Sequence, residues 1–233
     1  MTGYWIIFGV FMVASLIVGG VLKAKFKRYS KVPVGYNLSG KEVAERMLRE
    51  HGLTNVQVVS VAGMLSDHYN PLNRTVNLSP DVYNGRSISA AAVAAHECGH
   101  AIQHANNYAW LTMRSKLVPV QNLSAQILNV IFIGMFLGVF AIQGLFNLQT
   151  ALLVIVACYA VITGIAFITL PVEINASQRA LAWLEGTAIT SERTHGQAKD
   201  ALKWAAYTYV IAALSSLASL LYFVAMLAGG RRD

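Results

Sequence analysis

The chain has 233 residues, of which 55% are hydrophobic and only 12% are charged. A soluble globular protein carries about 25% charged residues, so the composition argues against an ordinary soluble enzyme. The formal net charge is +7, but no basic patch is interleaved with aromatic residues. We therefore expect no nucleic-acid partner and attribute the positive charge to membrane orientation and to contact with lipid headgroups.

Three uncharged stretches separate the charged parts of the chain, at residues 4–22, 117–171 and 205–230. A membrane-spanning helix needs about 20 predominantly apolar residues. The middle stretch is therefore long enough for two spans, near residues 127–146 and 150–170. With the two outer stretches, the sequence predicts four spans. The protein is therefore expected to be a multi-pass protein of the cell membrane, in contact with the lipid bilayer.

Basic residues set the predicted orientation. The first uncharged stretch is followed directly by Lys23, Lys25, Lys27, Arg28 and Lys31, which the positive-inside rule places in the cytoplasm. With four spans, residues 23–116 and 173–203 share this side, and they hold 16 of the 18 lysines and arginines. Both termini are then outside, although Arg231 and Arg232 count weakly against this. Because the charges follow the first stretch, a retained anchor is favoured over a cleaved signal peptide.

The segment between the first two spans predicts a compact α+β domain. Ser39 and Glu42 have the spacing of a capping box, which begins a helix that Gly52 ends. Residues 56–61 and 74–79 are predicted strands, and residues 67–73 between them, which begin Asp-His-Tyr-Asn-Pro, have turn chemistry. A short edge strand beside a helix would allow an extended peptide to add as a further strand.

The most informative motif is His96-Glu97-Cys98-Gly99-His100, which follows an alanine-rich run that predicts a helix. Positions four apart lie on one face of a helix, so both imidazoles can bind one Zn²⁺ with Glu97 beside the bound water as general base. Gly99 costs about 1 kcal/mol relative to Ala in a helix, which indicates close packing against that turn. Cys98 points away from the metal and is expected to be a small core residue.

Two histidines do not complete a catalytic zinc site, which uses three protein ligands and a water. His104 lies about 6 Å beyond His100 along a straight helix, so one tetrahedral ion cannot easily accept both along with His96. His195 is expected in a solvated loop. Glu173 is favoured, since an acidic group at the end of an apolar helix needs a partner such as zinc. The alternative is an interfacial Glu173 paired with Arg179 or with solvent.

Four blocks of the sequence, in order, resemble the YugP-type zinc-dependent membrane proteases, and the resemblance covers almost the whole chain. The blocks are Asp67-His-Tyr-Asn-Pro71, the run at 78–87, His96-Glu-Cys-Gly-His100 with Ala-Ile-Gln-His104, and Leu170-Pro-Val-Glu-Ile-Asn-Ala-Ser177. More distantly, the motif helix followed by Glu-x-x-Ala is similar to the gluzincin membrane proteases of the HtpX and prenyl-protein endopeptidase type. The resemblance implies that Glu173 is the third zinc ligand. Where the HtpX type has an Asp four residues later, this chain has Ser177.

The oxyanion of a tetrahedral intermediate needs a hydrogen-bond donor besides the metal. Residues 67–69 have two possible roles. They can be a purely structural polar turn, or they can bring His68 or Tyr69 to the rim of the zinc cleft. We predict His68 as a catalytic residue in this role, with Tyr69, His104 and His195 as the alternatives.

The predicted fold is an α-helical membrane protein with about four transmembrane helices and a small α+β zincin-like cytoplasmic domain. The predicted domains are a first transmembrane helix at 1–22, a cytoplasmic zincin-like catalytic domain at 23–116, two transmembrane helices at 117–172, a cytoplasmic helical segment with the third zinc ligand at 173–204, and a fourth transmembrane helix with a short tail at 205–233.

The predicted function is a membrane-integrated zinc metalloendopeptidase that cleaves membrane-associated proteins or peptides at the cytoplasmic face. His96, His100 and Glu173 bind Zn²⁺, and Glu97 is the catalytic base. A four-span scaffold with a structural zinc site is the alternative, and it would need a fourth protein ligand. Cleavage inside the membrane is disfavoured, because polar residues such as Arg86 flank the motif helix.

Overall fold

The computed structural model describes residues 2–63, 65–137 and 148–229. The last nine residues of the predicted second span, 138–146, lie outside the described residues. The C-terminal residues 230–233, which include Arg231 and Arg232, also lie outside them. The described helices are α1 (Thr2–Tyr29), α2 (Gly40–Glu50), α3 (Pro80–Tyr83), α4 (Ile88–Ala105), α5 (Ala109–Phe136), α6 (Leu148–Gly186) and α7 (Glu192–Gly229). The described strands are β1 (Gln57–Ser60), β2 (His68–Asn70) and β3 (Thr75–Leu78).

Four of the described helices, α1, α5, α6 and α7, are long and apolar enough to cross a membrane. The predicted number of apolar segments is therefore confirmed by length and composition, while membrane insertion stays a prediction. The second of these helices begins at Ala109, well before the predicted 127. The third does not end at 170 but continues through Pro171 to Gly186.

Contacts divide the chain into two compact units. The helical unit comprises Met1–Leu16, Met113–Leu170 and Tyr209–Asp233. Its core contains a cluster of buried apolar side chains, among them Leu128, Leu152, Ile155, Cys158 and Phe223. The mixed unit comprises Ile17–Thr112 and Pro171–Thr208, and it holds the motif helix and all the candidate site residues.

The three strands of the mixed unit form one sheet in the order β1-β3-β2. β1 runs parallel to β3, and β2 runs antiparallel to it. The two predicted strands are confirmed, but the prediction of a turn throughout the Asp-His-Tyr-Asn-Pro run is wrong, because His68–Asn70 form β2. The Asp67 carboxylate accepts hydrogen bonds from the backbone N and the Oγ of Ser79, which holds the beginning of β2 at the end of β3.

Helix α2 begins with the predicted capping box. Ser39 Oγ accepts from the Glu42 backbone N, and Glu42 Oε2 accepts from the Ser39 backbone N at 2.7 Å. These bonds satisfy backbone donors that the first turn would otherwise leave unpaired. The apolar face of α2, with Val43 and Met47 fully buried, packs in the same core as the alanines of α4, so nearly the whole motif helix is inside the protein.

Gly99 explains how α4 and α6 approach each other. A Cβ built on Gly99 would lie 2.6 Å from the carbonyl oxygen of Ala176, a backbone atom of α6. Such a contact is too close for any side chain, which confirms the close packing expected at this turn. Because Glu173 is three residues before Ala176, the contact brings Glu173 beside the motif histidines.

We expect the variant Gly99→Ala to lose stability and zinc affinity together. Ala gains about 1 kcal/mol in helix propensity, but overpacking a rigid contact costs about 1–3 kcal/mol, so we expect a net loss. The matched control is Gly196→Ala in α7, where an added Cβ meets nothing within 4 Å and only the gain applies. Melting temperatures measured with and without a chelator report the stability of each variant and the part of it that depends on bound zinc. A Gly99→Ala protein as stable as wild type would contradict the account.

Candidate metal centre

The side chains of His96, His100 and Glu173 converge in the interior of the mixed unit. Glu173 Oε2 lies 3.3 Å from His96 Nε2 and 3.6 Å from His100 Nε2. The candidate ligand atoms of all three residues lie within 4.8 Å of one another. Tetrahedral zinc with bonds of about 2.1 Å places its ligand atoms about 3.4 Å apart. The donor set and its spacing therefore fit zinc, without requiring a large rearrangement.

The group is deeply buried. Glu173 is 2% exposed and His100 is 7% exposed, and the His96 side chain is nearly covered as well. A buried carboxylate is costly unless an opposite charge compensates it. A divalent cation held between the three groups would supply such a charge. The arrangement can therefore hold a metal ion.

Each imidazole is also held at its outer nitrogen. Ser177 Oγ lies 3.1 Å from His96 Nδ1, and Gln103 Oε1 lies 3.0 Å from His100 Nδ1. Both Nε2 atoms are thereby directed towards Glu173. Ser177, four residues after Glu173, thus bonds to a motif histidine. Gln103 was not predicted, and the only local signal is its position three residues after His100, on the same helix face.

The pKa values of two ionisable groups on α4, His100 and Cys98, are raised for different reasons. Burial lowers the pKa of His100, but the bond and charge of Glu173, the charge of Glu97 and the bond with Gln103 outweigh it, so this pKa is raised. Burial raises the pKa of Cys98 well above its ordinary value, and its thiol donates to the carbonyl of Ala44 in α2. Cys98 is therefore a neutral core residue, as predicted, and not a metal ligand.

Glu97 lies between the two histidines in sequence and is 7% exposed. Within the described part of the chain, no side chain or backbone group donates a hydrogen bond to its carboxylate. Its charge nevertheless raises the pKa of His100, so the carboxylate lies near the centre. A nearly buried carboxylate in this position can accept a proton from a water molecule at the metal.

The other predicted residues lie outside the three-residue group found among the described residues. His68 is an exposed residue of β2, and its Nδ1 lies 2.7 Å from the carbonyl oxygen of Ser66. Tyr69, on the opposite face of the strand, reaches α4, where its hydroxyl lies 2.8 Å from His104 Nδ1. His195 is in the first turn of α7 rather than in a loop, 3.9 Å from Glu185.

Comparisons with known proteins identify related sequences. The sequence model of a family described as “Putative neutral zinc metallopeptidase” matches residues 4–228. A Bacillus subtilis (strain 168) protein named “Putative membrane protease YugP” is 40% identical over 213 residues, which are 91% of each chain. The resemblance to the YugP type is therefore confirmed, and zinc is the expected cofactor. No solved structure matches the chain.

Replacing Glu173 by Ala should remove the metal. We expect one zinc per chain in wild type, and a loss of affinity larger than the 10- to 100-fold typical of outer contacts, because one of three ligands is lost. Glu185→Ala is the matched control, since Glu185 is on the same helix with a largely exposed side chain. Metal analysis after gel filtration measures the stoichiometry. Full zinc retention in Glu173→Ala would show that the third ligand is misassigned.

Proposed function

The chain belongs to the family described as “Putative neutral zinc metallopeptidase”, and on that premise we propose that it is a membrane-integrated zinc metalloendopeptidase. The observation that carries this proposal is the convergence of His96, His100 and Glu173, with Glu97 beside them, on one buried point. The described group has three protein ligands, which supports a catalytic site with one position open for water over a closed structural site.

The proposed chemistry divides between the metal and Glu97. Zinc, when bound, lowers the pKa of a water molecule towards neutrality and polarises the peptide carbonyl. Glu97 accepts the proton of the attacking water and then delivers it to the leaving amine. The absence of competing donors to this carboxylate among the described residues supports the role of Glu97 as base.

We propose that the substrate binds in an extended conformation along β2. This strand is at the edge of the described sheet, and Tyr69 joins it to the motif helix through His104. An edge strand offers unpaired backbone donors and acceptors to a peptide, and such pairing accepts many sequences. Protein or peptide substrates close to the membrane fit the four apolar helices, and the relative’s name, a membrane protease, agrees.

We further propose that the four apolar helices cross the cell membrane and that the centre faces the cytoplasm. The support is the distribution of charge: the basic run from Lys23 to Lys31 follows the uncharged part of α1 directly, and basic residues near a span favour the cytoplasmic side. The predicted domain boundaries depend on the same assignment of spans and also stay predictions.

Glu97→Gln should keep zinc but lose activity. The amide cannot accept a proton, and general base catalysis contributes about 10²- to 10⁴-fold. The control is Glu45→Gln on the exposed side of α2, where the carboxylate lies 3.6 Å from Lys41 Nζ. Peptide cleavage by detergent-purified protein, with metal content measured on the same sample, checks this. Undiminished cleavage by Glu97→Gln would exclude the proposed base.

The donor to the oxyanion can be assigned by comparing two variants in the same assay. We propose that β2 supplies the donor, with His68 as the predicted residue and Tyr69, paired with His104, as the alternative. His68→Ala should lower kcat by about 10²-fold if His68 is the donor, while Tyr69→Phe keeps the ring packing and leaves kcat near wild type. The reverse result would transfer the role to Tyr69, and no effect in either variant would remove β2 from the mechanism.

A further inference from the structure

Gln103 is fully buried, and its amide makes three hydrogen bonds at the metal centre: one to His100 within α4 and two across to α6. We infer that Gln103 is a positioning residue, which selects the protonated nitrogen of His100 and holds the α6 turn of Glu173 against α4. The inference rests on the proposed zinc centre and goes beyond it, since it assigns the residue that sets the geometry between two ligands from different helices.

The orientation of the Gln103 amide follows from its surroundings on α6. Its nitrogen lies 2.8 Å from the carbonyl oxygen of Val172 and 3.0 Å from Asn175 Oδ1. A carbonyl oxygen can only accept, and Asn175 Oδ1 already accepts from Arg179 Nε at 2.8 Å, which identifies it as an oxygen. The side of Gln103 that faces α6 must therefore be the NH₂ group, because an oxygen there would meet two acceptors.

The orientation of the amide then determines the tautomer of His100. With its NH₂ group on α6, Gln103 presents Oε1 to His100 Nδ1 at 3.0 Å. Oε1 can only accept, so Nδ1 carries the proton and Nε2 keeps its lone pair, on the side where Glu173 lies. A neutral imidazole with a free Nε2 is the form that binds metal, and such outer contacts commonly fix it.

The same side chain fixes the spacing between the ligands. Val172 precedes Glu173 and Asn175 follows it by two residues, so Gln103 holds the helical turn of the third ligand at both sides. The second ligand, His100, is bonded to the other end of the same amide. His96 is held more simply, by one contact with Ser177. A change at Gln103 should therefore disturb two ligands, whereas a change at Ser177 should disturb one.

Gln103→Met tests this role, because Met has a similar volume but cannot form these bonds. We expect zinc affinity, measured against a competing chelator on the full chain in detergent, to fall 10- to 100-fold. We also expect ¹⁵N NMR of labelled histidines in the zinc-free protein, at a pH that keeps imidazole neutral, to show His100 changing from the Nδ1-protonated tautomer to a mixture. Met47→Ala, a variant in the core on α2, controls for lost stability.

The outcomes are separable. The inference is overturned if Gln103→Met keeps the affinity and the tautomer, or if Met47→Ala at equal loss of melting temperature lowers the affinity as much. If Gln103→Met does not fold, Asn175→Ala removes one acceptor and should lower zinc affinity by about 10-fold, and an unchanged affinity there overturns the inference instead. A wild-type protein that binds zinc but cleaves no peptide would refute the proposed function and leave this test intact.

Discussion

The carboxylate of Glu173, buried against two imidazoles, is the interaction on which the rest of the mixed unit depends. A buried carboxylate costs several kcal/mol unless opposite charge compensates it, and a divalent ion held by the same three groups would supply such charge. The surrounding structure holds these groups at a spacing that suits one ion. Gly99 allows α4 to touch the backbone of α6. Ser177, on α6, bonds to His96 directly, and Gln103 links His100 to the carbonyl oxygen of Val172 on α6. Metal binding and the packing of these two helices are therefore one energetic unit.

Helix α6 gives the apolar segments a part in this centre. Its first half is uncharged, and the same helix continues through Pro171 to present Glu173, Ala176 and Ser177. Proline within a helix removes one hydrogen bond and strains the preceding turn, yet the helix continues here because its next turns are packed against α4. In the proposed mechanism the third ligand is thus carried by the continuation of a helix that is long and apolar enough to cross a membrane.

The features that the sequence predicted are those encoded in short patterns. The capping box at Ser39, the motif helix and the two β-branched strands follow local rules, and Gly99 signalled close packing because glycine is costly within a helix. The features that it missed depend on distant partners. β2 is a three-residue strand that pairs with β3, with its beginning held by the bond from Ser79 to Asp67, and the part played by Gln103 requires α6. The predicted third span ended at residue 170, whereas the helix continues through Pro171 to Gly186, where it packs against α4.

The most direct test of the central claim is zinc-edge X-ray absorption spectroscopy on the purified full-length protein. The account predicts two imidazole nitrogens at about 2.0–2.1 Å and oxygen ligands at about 2.0–2.2 Å, one from Glu173 and one from water. The same spectrum of Glu97→Gln should be nearly unchanged, since Glu97 acts on the water and does not bind the metal. A sulfur ligand at about 2.3 Å, or a shell of four protein ligands without water, would contradict a catalytic centre formed by His96, His100 and Glu173.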